Sequence, residues 1–325
     1  MAEMSPPADR AATTGILLLI VGMVCISIND MLVKRLSGDY PLHQIVFVRS
    51  AIGLLLNLVI LQFEGGFGLL RTSRPVLHLV RALLIVVANL AYFTALAVLT
   101  LATSNALFFI APMLITLLSI PLLGEKVGPR RILAVVVGFV GVLFIVLDAG
   151  AVGDVPPLAL ALPIVAALAY ALMQILTRKL GASSTAAAMA IYIQATFLVV
   201  SLLFFAIAGD GRFAEGSENP SVDFALRAWV WPNSQDIWVF LAIGLLIGVI
   251  SYTLSQAYRI ADAATVAPFE YVALPMAVFW GIVVFGDWPA WSTVAGILLI
   301  AGSGIYVFMR ERVRALPHSR PGRRA

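Results

Sequence analysis

The sequence predicts an all-α integral membrane protein with ten transmembrane helices arranged as two inverted five-helix repeats. The chain has 325 residues, of which 61% are hydrophobic and only 12% are charged, whereas soluble domains are about half apolar and about a quarter charged. Long apolar runs such as 134–147 and 191–208 show no alternation of polar and apolar residues, which excludes barrel strands and favours helices. The last five apolar segments also repeat features of the first five.

Each membrane span requires about 20 residues, and most connections between the apolar segments are short. The exception is 209–235, where Trp229 and Trp231 predict a segment at the membrane surface. The first apolar run, from near Thr14, is followed by no small-residue cleavage signature and is interpreted as a retained span rather than a signal peptide. The ten spans are expected near 14–36, 42–63, 75–98, 101–123, 130–147, 157–178, 185–208, 236–258, 263–285 and 290–309.

The distribution of basic residues predicts the orientation. With the N-terminus inside, sixteen of the 21 Lys and Arg residues fall on the cytoplasmic side and four on the outer side. Lys and Arg concentrate in cytoplasmic loops, so both termini are expected in the cytoplasm of a multi-pass protein of the cell (inner) membrane. A basic cytoplasmic tail is expected at 311–325.

Composition also argues against several partners. No basic soluble domain is available for nucleic acid. A single cysteine, Cys25, and three scattered histidines match no metal site. We therefore expect no cofactor, no metal and no nucleic acid, and we expect a small-molecule substrate and the lipid bilayer as partners.

An internal repeat divides the chain into residues 1–150 and 151–310. Five residues recur 162 positions later, namely Ala102, Thr103, Ala111, Gly124 and Glu125 as Ala264, Thr265, Ala273, Gly286 and Asp287. Three others recur 144 positions later, namely Lys34, Arg35 and Leu36 as Arg178, Lys179 and Leu180. A duplicated unit with an odd number of spans enters the membrane in opposite orientations, which is typical of secondary transporters.

These repeated residues resemble the EamA family of the drug/metabolite transporter superfamily. The motifs are 92–96, 102–106, 111–112 and 123–125, with counterparts at 263–265, 274–275 and 286–287. This chain departs from the family pattern at Asp287, where Glu is usual, and at Ala134, where glycine is expected. The resemblance implies a ten-helix bundle around a central cavity. It also implies a homodimer contact through helices five and ten, although the glycines of these helices equally suit packing within one chain.

Four ionisable residues within the predicted spans stand out: Asp30, Lys34, Arg49 and Glu270. An ionisable group in hydrocarbon is costly unless it is paired or hydrated. Asp30 and Arg49 each lie roughly 10 Å below the outer surface, so we expect them to meet, either in a structural ion pair or in a gate or substrate site. Glu270, about 12 Å from the inner surface, is expected to couple proton movement or bind substrate, or else to hydrogen-bond a neighbouring helix.

Amides and tyrosines in the spans should face the bundle interior, because lipid offers them no hydrogen-bond partner. They either join helices or line a cavity, and tyrosine rings suit a planar solute. Pro112 and Pro275 match at an offset of 163 and are the expected hinges. The expected substrate-binding or gating residues are Asn29, Asp30, Lys34, Arg49, Asn89, Tyr92, Asn105, Tyr170, Gln174, Tyr252, Gln256, Glu270 and Tyr271.

The predicted function is secondary transport of a small polar organic metabolite by alternating access. No Walker A sequence and no hydrolase or metalloprotease motif occurs, so an enzyme is not expected. A membrane-integral enzyme and a channel are the alternatives to a carrier. Asn29, Asp30 and Lys34 on helix one and Arg49 on helix two resemble family carriers of riboflavin and S-adenosylmethionine. We therefore take a vitamin such as riboflavin as the first substrate hypothesis, with an exporter of amino acids or drugs, or a carrier of the S-adenosylmethionine type, as alternatives.

Overall fold

The computed structural model describes residues 8–124, 128–151, 157–181, 183–217, 219–261 and 266–315, and these ranges contain helices and loops but no strand. Short 3-10 helices occupy Phe67–Leu70 and Ala267–Val272, and a π-helical turn occupies Gly281–Phe285. The α-helices are α1 (Ala8–Leu36), α2 (Leu42–Glu64), α3 (Pro75–Leu96), α4 (Leu101–Phe108), α5 (Ala111–Leu123), α6 (Pro129–Ala151), α7 (Pro157–Leu180), α8 (Ala186–Ala208), α9 (Pro220–Leu226), α10 (Asp236–Ile260), α11 (Ala273–Trp280) and α12 (Trp291–Ala315).

Seven helical segments are long and apolar enough to cross a membrane: Ala12–Leu36, Leu42–Glu64, Pro75–Leu96, Leu101–Leu123, Pro157–Leu180, Ala186–Ala208 and Asp236–Ile260. Shorter apolar helices cover Ile132–Leu147, Phe269–Phe285 and Trp291–Ser303. The all-α membrane architecture predicted from composition is therefore present. The number of crossings stays a prediction, because three of the ten expected spans correspond to the shorter segments.

Two expected spans are interrupted rather than continuous. The fourth divides into α4 and α5 at residues 109 and 110, and Pro112 is buried in the first turn of α5. The ninth begins as a 3-10 helix, and Pro275 is the exposed third residue of α11. Proline lacks an amide hydrogen and is tolerated at a helix start. Both prolines thus lie within a few residues of a break or a change of helix type, and their hinge role stays a prediction.

The ends of the chain and two motif segments are only partly described. The expected tail at 311–325 is helical as far as Ala315, because α12 continues beyond the expected end of the tenth span. Residues 316–325 lie outside the described residues, as do Glu125 and the repeat residues 263–265.

Helices from the two sequence halves pack against each other. α1 packs on α10, α2 on α8 and α10, α3 on α7, and α6 on α12. A Cβ atom at Gly53 of α2 would lie 3.2 Å from the backbone nitrogen of Gly248 in α10. One at Gly141 of α6 would lie 2.9 Å from the carbonyl oxygen of Gly296 in α12. Small residues therefore permit close helix approach within the chain, and α6 and α12, the expected helices five and ten, use this glycine pair on each other.

The 209–235 segment covers the loop between α1 and α2. Arg227 donates hydrogen bonds to the carbonyl oxygens of Ser37, at 2.6 Å, and of Gly38. The side-chain amide of Gln44 both donates to and accepts from the backbone of Val230, at 2.6 and 3.1 Å. Trp231 is 96% exposed, as a side chain at a membrane surface would be.

Candidate functional site

A cavity lined by apolar and aromatic side chains, with several polar and ionisable ones among them, lies within the helix bundle. It is bounded by α1, α2, α3, α4, α7, α8, α10 and the 3-10 helix that carries Glu270, and it comprises about 1040 Å³ of space between protein atoms, including the part open to solvent. Nine of the predicted site residues line it: Asn29, Asp30, Arg49, Asn89, Tyr92, Asn105, Tyr170, Gln174 and Glu270.

Four of the predicted site residues do not line the cavity. Tyr252 and Gln256 lie on α10, whose residues 247, 250, 251, 254 and 255 are the ones that face inward. Successive helical residues are rotated by about 100°, so these two side chains point elsewhere. Tyr271 is buried beside Phe109, with 5.9 Å between ring centroids. It lies next to Glu270 but points in a different direction, because a 3-10 helix rotates by about 120° per residue.

Lys34, the fourth, lies at one end of the bundle. Its ammonium group donates to the carbonyl oxygen of Leu99 at 3.0 Å and forms an ion pair with Asp287 at 3.4 Å. The same nitrogen lies 5.1 Å from the ring centroid of Phe285. Lys34 therefore connects the end of α1 to the α3–α4 loop and to the loop after the π-helical turn.

Asp30 accepts hydrogen bonds from neutral donors on two helices, α1 and α3. Tyr92 of α3 donates to its Oδ2 at 3.1 Å, and Asn29 donates to its Oδ1 at 3.2 Å. Asn105 of α4 in turn donates to the Tyr92 hydroxyl at 2.8 Å. Asn105 is positioned one turn into α4, which begins where the Thr100 side chain accepts a hydrogen bond from the amide of Thr103; such a cap satisfies an otherwise unpaired amide at the helix start.

Glu270 has a similar environment on the opposite wall. Tyr170 of α7 donates to its Oε1 at 2.9 Å, and Tyr258 of α10 donates to the same oxygen. Gln174, one turn along α7, donates to the Tyr170 hydroxyl at 2.7 Å. Both carboxylates thus receive a tyrosine hydroxyl that is itself hydrogen-bonded by an amide. Hydrogen bonds to charged groups are the strong ones in a low-dielectric interior.

One aromatic ring joins the two networks. The Phe108 centroid lies 5.4 Å from that of Tyr92 and 5.3 Å from that of Tyr170. These distances fall within the range of favourable aromatic pairs. The rings of Tyr92, Phe108 and Tyr170 therefore form a continuous series of contacts that connects the two carboxylates.

Arg49 departs from the expected arrangement. Its Nη2 donates to the Asn89 side chain at 2.8 Å, and its guanidinium lies over the rings of Phe93 and Phe197 at 5.1 and 5.9 Å. The expected ion pair with Asp30 is not formed, because Asp30 accepts from Asn29 and Tyr92 while Arg49 turns toward α3. Its Nε and Nη1 atoms are buried and have no hydrogen-bond acceptor among the described residues.

Arg81 lines the cavity. The expected orientation had placed it among the sixteen basic residues on the cytoplasmic side. It is only 2% exposed. Its three nitrogens donate to Thr177, to the carbonyl of Met189 and to Ser255, at 2.7, 3.1 and 3.3 Å. These partners lie on α7, α8 and α10. Its position about 10 Å into α3, at 1.5 Å per residue, was a signal that could have identified it.

Other cavity residues were also missed. Gln194 and Ser251 line the cavity, and Tyr258 contacts Glu270 without a place among the predicted site residues. Like the predicted site residues, they are polar side chains within apolar spans. No repeating pattern in the sequence distinguished those that face the cavity from the others. The described residues contain no group of His, Cys, Asp and Glu suited to a metal ion. The arrangement can bind a solute by hydrogen bonds, charge and aromatic contact.

Comparison with known proteins agrees with the resemblance read from the sequence. The model of the EamA-like transporter family matches residues 13–147. The chain is 25% identical over 307 residues to an S-adenosylmethionine uptake transporter of Rickettsia prowazekii, covering 94% of this chain and 96% of that protein. It is 29% identical over 273 residues to a riboflavin transporter of Vibrio cholerae, covering 83% of this chain and 84% of that protein.

Further similarities extend over most of the chain. It is 28% identical over 294 residues to the pseudopaline exporter CntI of Pseudomonas aeruginosa, covering 90% of this chain and 93% of that protein. A solved structure described only as "Crystal structure of protein" shares the fold, with a TM-score of 0.65, 18% identity and coverage of 95% of this chain and 98% of that one. These relatives point to a transporter rather than an enzyme, and residues 13–147 of this chain are similar to the EamA-like transporter family.

Proposed function

We propose that the protein is a secondary transporter that moves a small polar organic metabolite across the cytoplasmic (inner) membrane by alternating access. The proposal includes ten spans in two inverted halves, 1–150 and 151–310, with both termini in the cytoplasm. The observation that carries it is the cavity between helices of both halves, with the ionisable residues Asp30, Arg49 and Glu270 buried in its wall. Buried ionisable residues in a membrane bundle mark substrate or ion pathways.

Two related contacts support the inverted halves. Lys34 donates to the carbonyl oxygen of Leu99 at 3.0 Å, and Arg178 donates to that of Ala261 at 3.4 Å. The two cations are 144 residues apart and the two carbonyls 162 apart, which are the offsets of the sequence repeat. In an inverted arrangement these contacts lie at opposite ends of the cavity. Alternating access requires the contacts at the two ends to open in turn.

The cavity wall favours a polar solute with a planar part. Tyr92, Phe108 and Tyr170 provide a ring surface between two hydrogen-bonded carboxylates. Riboflavin and S-adenosylmethionine, which the names of two relatives give as cargo, both combine a planar ring system with polar groups. The name of the pseudopaline exporter supports export of a small metabolite as the second candidate function.

Transport in proteoliposomes tests the proposal. The purified protein is reconstituted, and uptake of radiolabelled riboflavin, S-adenosylmethionine and a panel of amino acids is compared with protein-free vesicles. We expect saturable uptake of at least one solute and acceleration of that uptake by unlabelled solute inside, which is the behaviour of a carrier. Ion currents far above carrier turnover would instead indicate a channel, and product formation in detergent would indicate an enzyme.

A homodimer through α6 and α12 is a further part of the proposal. These helices pack on each other through Gly141 and Gly296, whereas Gly302 of α12 has no atom within 4 Å of the place where a Cβ would lie. Gly302 therefore leaves a shallow site for a second copy of α12. Cross-linking in nanodiscs tests this, since Gly302→Trp should abolish a dimer at this face; a monomer in the unaltered protein would contradict it.

A further inference from the structure

We infer that Arg49 forms a subsite for a carboxylate group of the transported solute, so that the substrate class is a zwitterion with an amino-acid end. The inference rests on the proposed transport function and specifies its substrate. It depends on which polar atoms of the cavity wall already have partners within the protein and which do not.

The guanidinium of Arg49 supplies the unmet donors. The side chain is 1% exposed, yet only Nη2 has an acceptor, the Asn89 amide oxygen at 2.8 Å. Nε and Nη1 are without an acceptor among the described residues. The N–H groups of Nε and Nη1 point along different edges of the planar group, and each is a charged donor that a carboxylate oxygen can accept. A buried cation with two unmade hydrogen bonds is costly unless a ligand completes them.

Two unmet acceptors belong to residues that line the same cavity. The oxygens Oδ1 of Asn29 and Oε1 of Gln194 are buried and have no donor among the described residues. Their orientations are set because the amide nitrogens are already bound, that of Asn29 to Asp30 and that of Gln194 to Ser251 and to the Ile247 carbonyl. Two free oxygens suit an ammonium or hydroxyl donor. A solute that pairs with the free donors of Arg49 and with these two oxygens carries a carboxylate and a donor group.

Charge distinguishes a carboxylate from a phosphate. The lining contains two guanidinium groups, Arg49 and Arg81, and two carboxylates, Asp30 and Glu270. The hydrogen bonds of Arg81 are already made within the protein, so only Arg49 is available for an anion. A phosphate carrying nearly two charges would face the repulsion of both carboxylates with one free cation. A carboxylate with a balancing ammonium group brings no net charge into the cavity.

The test compares solutes that differ only at the relevant group. Binding to the purified full-length protein in nanodiscs is measured calorimetrically for S-adenosylmethionine and for its decarboxylated form, and separately for riboflavin and riboflavin 5′-phosphate. We expect S-adenosylmethionine to bind about 10- to 100-fold more tightly than the decarboxylated form, which corresponds to losing a charge-assisted bond in a buried site. Riboflavin phosphate should bind no better than riboflavin.

Variants assign the effect to Arg49. Arg49→Gln should remove the preference for the carboxylate by weakening the binding of S-adenosylmethionine and leaving its decarboxylated form within about twofold. Arg49→Lys retains the charge without the planar edge and should keep part of the preference. Arg212→Gln makes the same change at an arginine that is more than half exposed and should leave the preference intact. If Arg49→Gln does not fold, Arg49→Lys and the solute comparison in the unaltered protein still decide.

Several outcomes would overturn the inference: equal affinity for the two adenosyl compounds, preference for riboflavin phosphate, binding of riboflavin alone, or no carboxylate solute bound at millimolar concentration. Failure of the inference is distinct from failure of the proposed function. Riboflavin uptake that is insensitive to Arg49→Gln would keep the transporter and remove the carboxylate subsite. Carboxylate-dependent binding without uptake in vesicles would keep the carboxylate subsite and contradict the proposed transport function.

Discussion

The hydroxyl group of Tyr92 donates a hydrogen bond of 3.1 Å to Oδ2 of Asp30. Asp30 therefore has a hydrogen-bond partner other than the cavity residue Arg49. Asp30 is satisfied by Tyr92 and by Asn29. Arg49 is therefore not needed to hold Asp30 and keeps two N–H groups available. A membrane bundle thereby holds both signs of charge in one cavity without joining them in an ion pair.

Removal of the Tyr92 hydroxyl should destabilise the protein. Tyr92→Phe keeps the ring contacts with Phe93 and Phe108 but removes one donor from a buried carboxylate. The expected loss is about 1 to 3 kcal/mol of unfolding free energy, observed as a lower melting temperature in detergent. Tyr271→Phe alters a buried tyrosine outside the cavity lining and should change stability by less than about 0.5 kcal/mol. Equal melting temperatures for the two variants would contradict this assignment.

Replacement of Glu270 should remove any coupling to protons. Glu270→Gln keeps the shape of the side chain and an acceptor oxygen for Tyr170 and Tyr258, but an amide does not exchange a proton in this pH range. We expect uptake into vesicles to lose its response to a pH gradient while exchange of internal for external solute continues. Glu64→Gln, at the end of α2 and outside the cavity lining, should retain the response. Unchanged coupling in Glu270→Gln would exclude this role.

Disruption of the Lys34–Asp287 ion pair should favour opening at that end of the cavity. The pair spans 3.4 Å, and the two side chains are 16% and 31% exposed, so the expected contribution is only about 0.2 to 1 kcal/mol. Asp287→Asn should therefore raise the open population about two- to fivefold. The measurement is the rate at which an impermeant maleimide labels a cysteine introduced at Ile26, which lines the cavity, with Cys25→Ser as background.

A charge swap provides the control for that experiment. Lys34→Asp combined with Asp287→Lys restores opposite charges and should bring the labelling rate back toward that of the unaltered protein. Under the proposed orientation the effect should appear only with reagent on the outer side. If Asp287→Asn labels no faster than the parent, the pair does not contribute to closure.

The contact between α6 and α12 should tolerate no added methyl group at Gly296. A Cβ atom there would approach Ile145 to 2.5 Å and the carbonyl oxygen of Gly141 to 2.8 Å. Gly296→Ala should cost about 1 to 3 kcal/mol through overpacking. Gly302→Ala on the same helix meets no neighbour within 4 Å and should leave the melting temperature unchanged or raise it, because alanine favours helix over glycine. A larger loss of stability in Gly302→Ala than in Gly296→Ala would refute this account of the α6–α12 interface.

The sequence by itself determined where the helices run and which polar groups they carry. Apolar length depends on local composition, and most of the apolar helices begin and end within a few residues of the expected spans. The division of the fourth span into α4 and α5, and the 3-10 start of the ninth, were not predicted. Depth along a helix also follows from residue number, because each residue rises by about 1.5 Å. This is why Asp30 and Glu270 could be assigned to the interior before any fold was known.

Only the tertiary structure decided which groups meet. Arg49 pairs with Asn89 and not with Asp30, Tyr258 reaches Glu270, and Arg81 is enclosed by three helices. These contacts depend on how each helix is rotated and crossed relative to its neighbours. A helix that is apolar on every side leaves little pattern from which to read that rotation. A hydrogen bond between two helices forms only if the side chain has the right angular position on its helix. That angular position is set by close packing of the helices, as at Gly53 and Gly248.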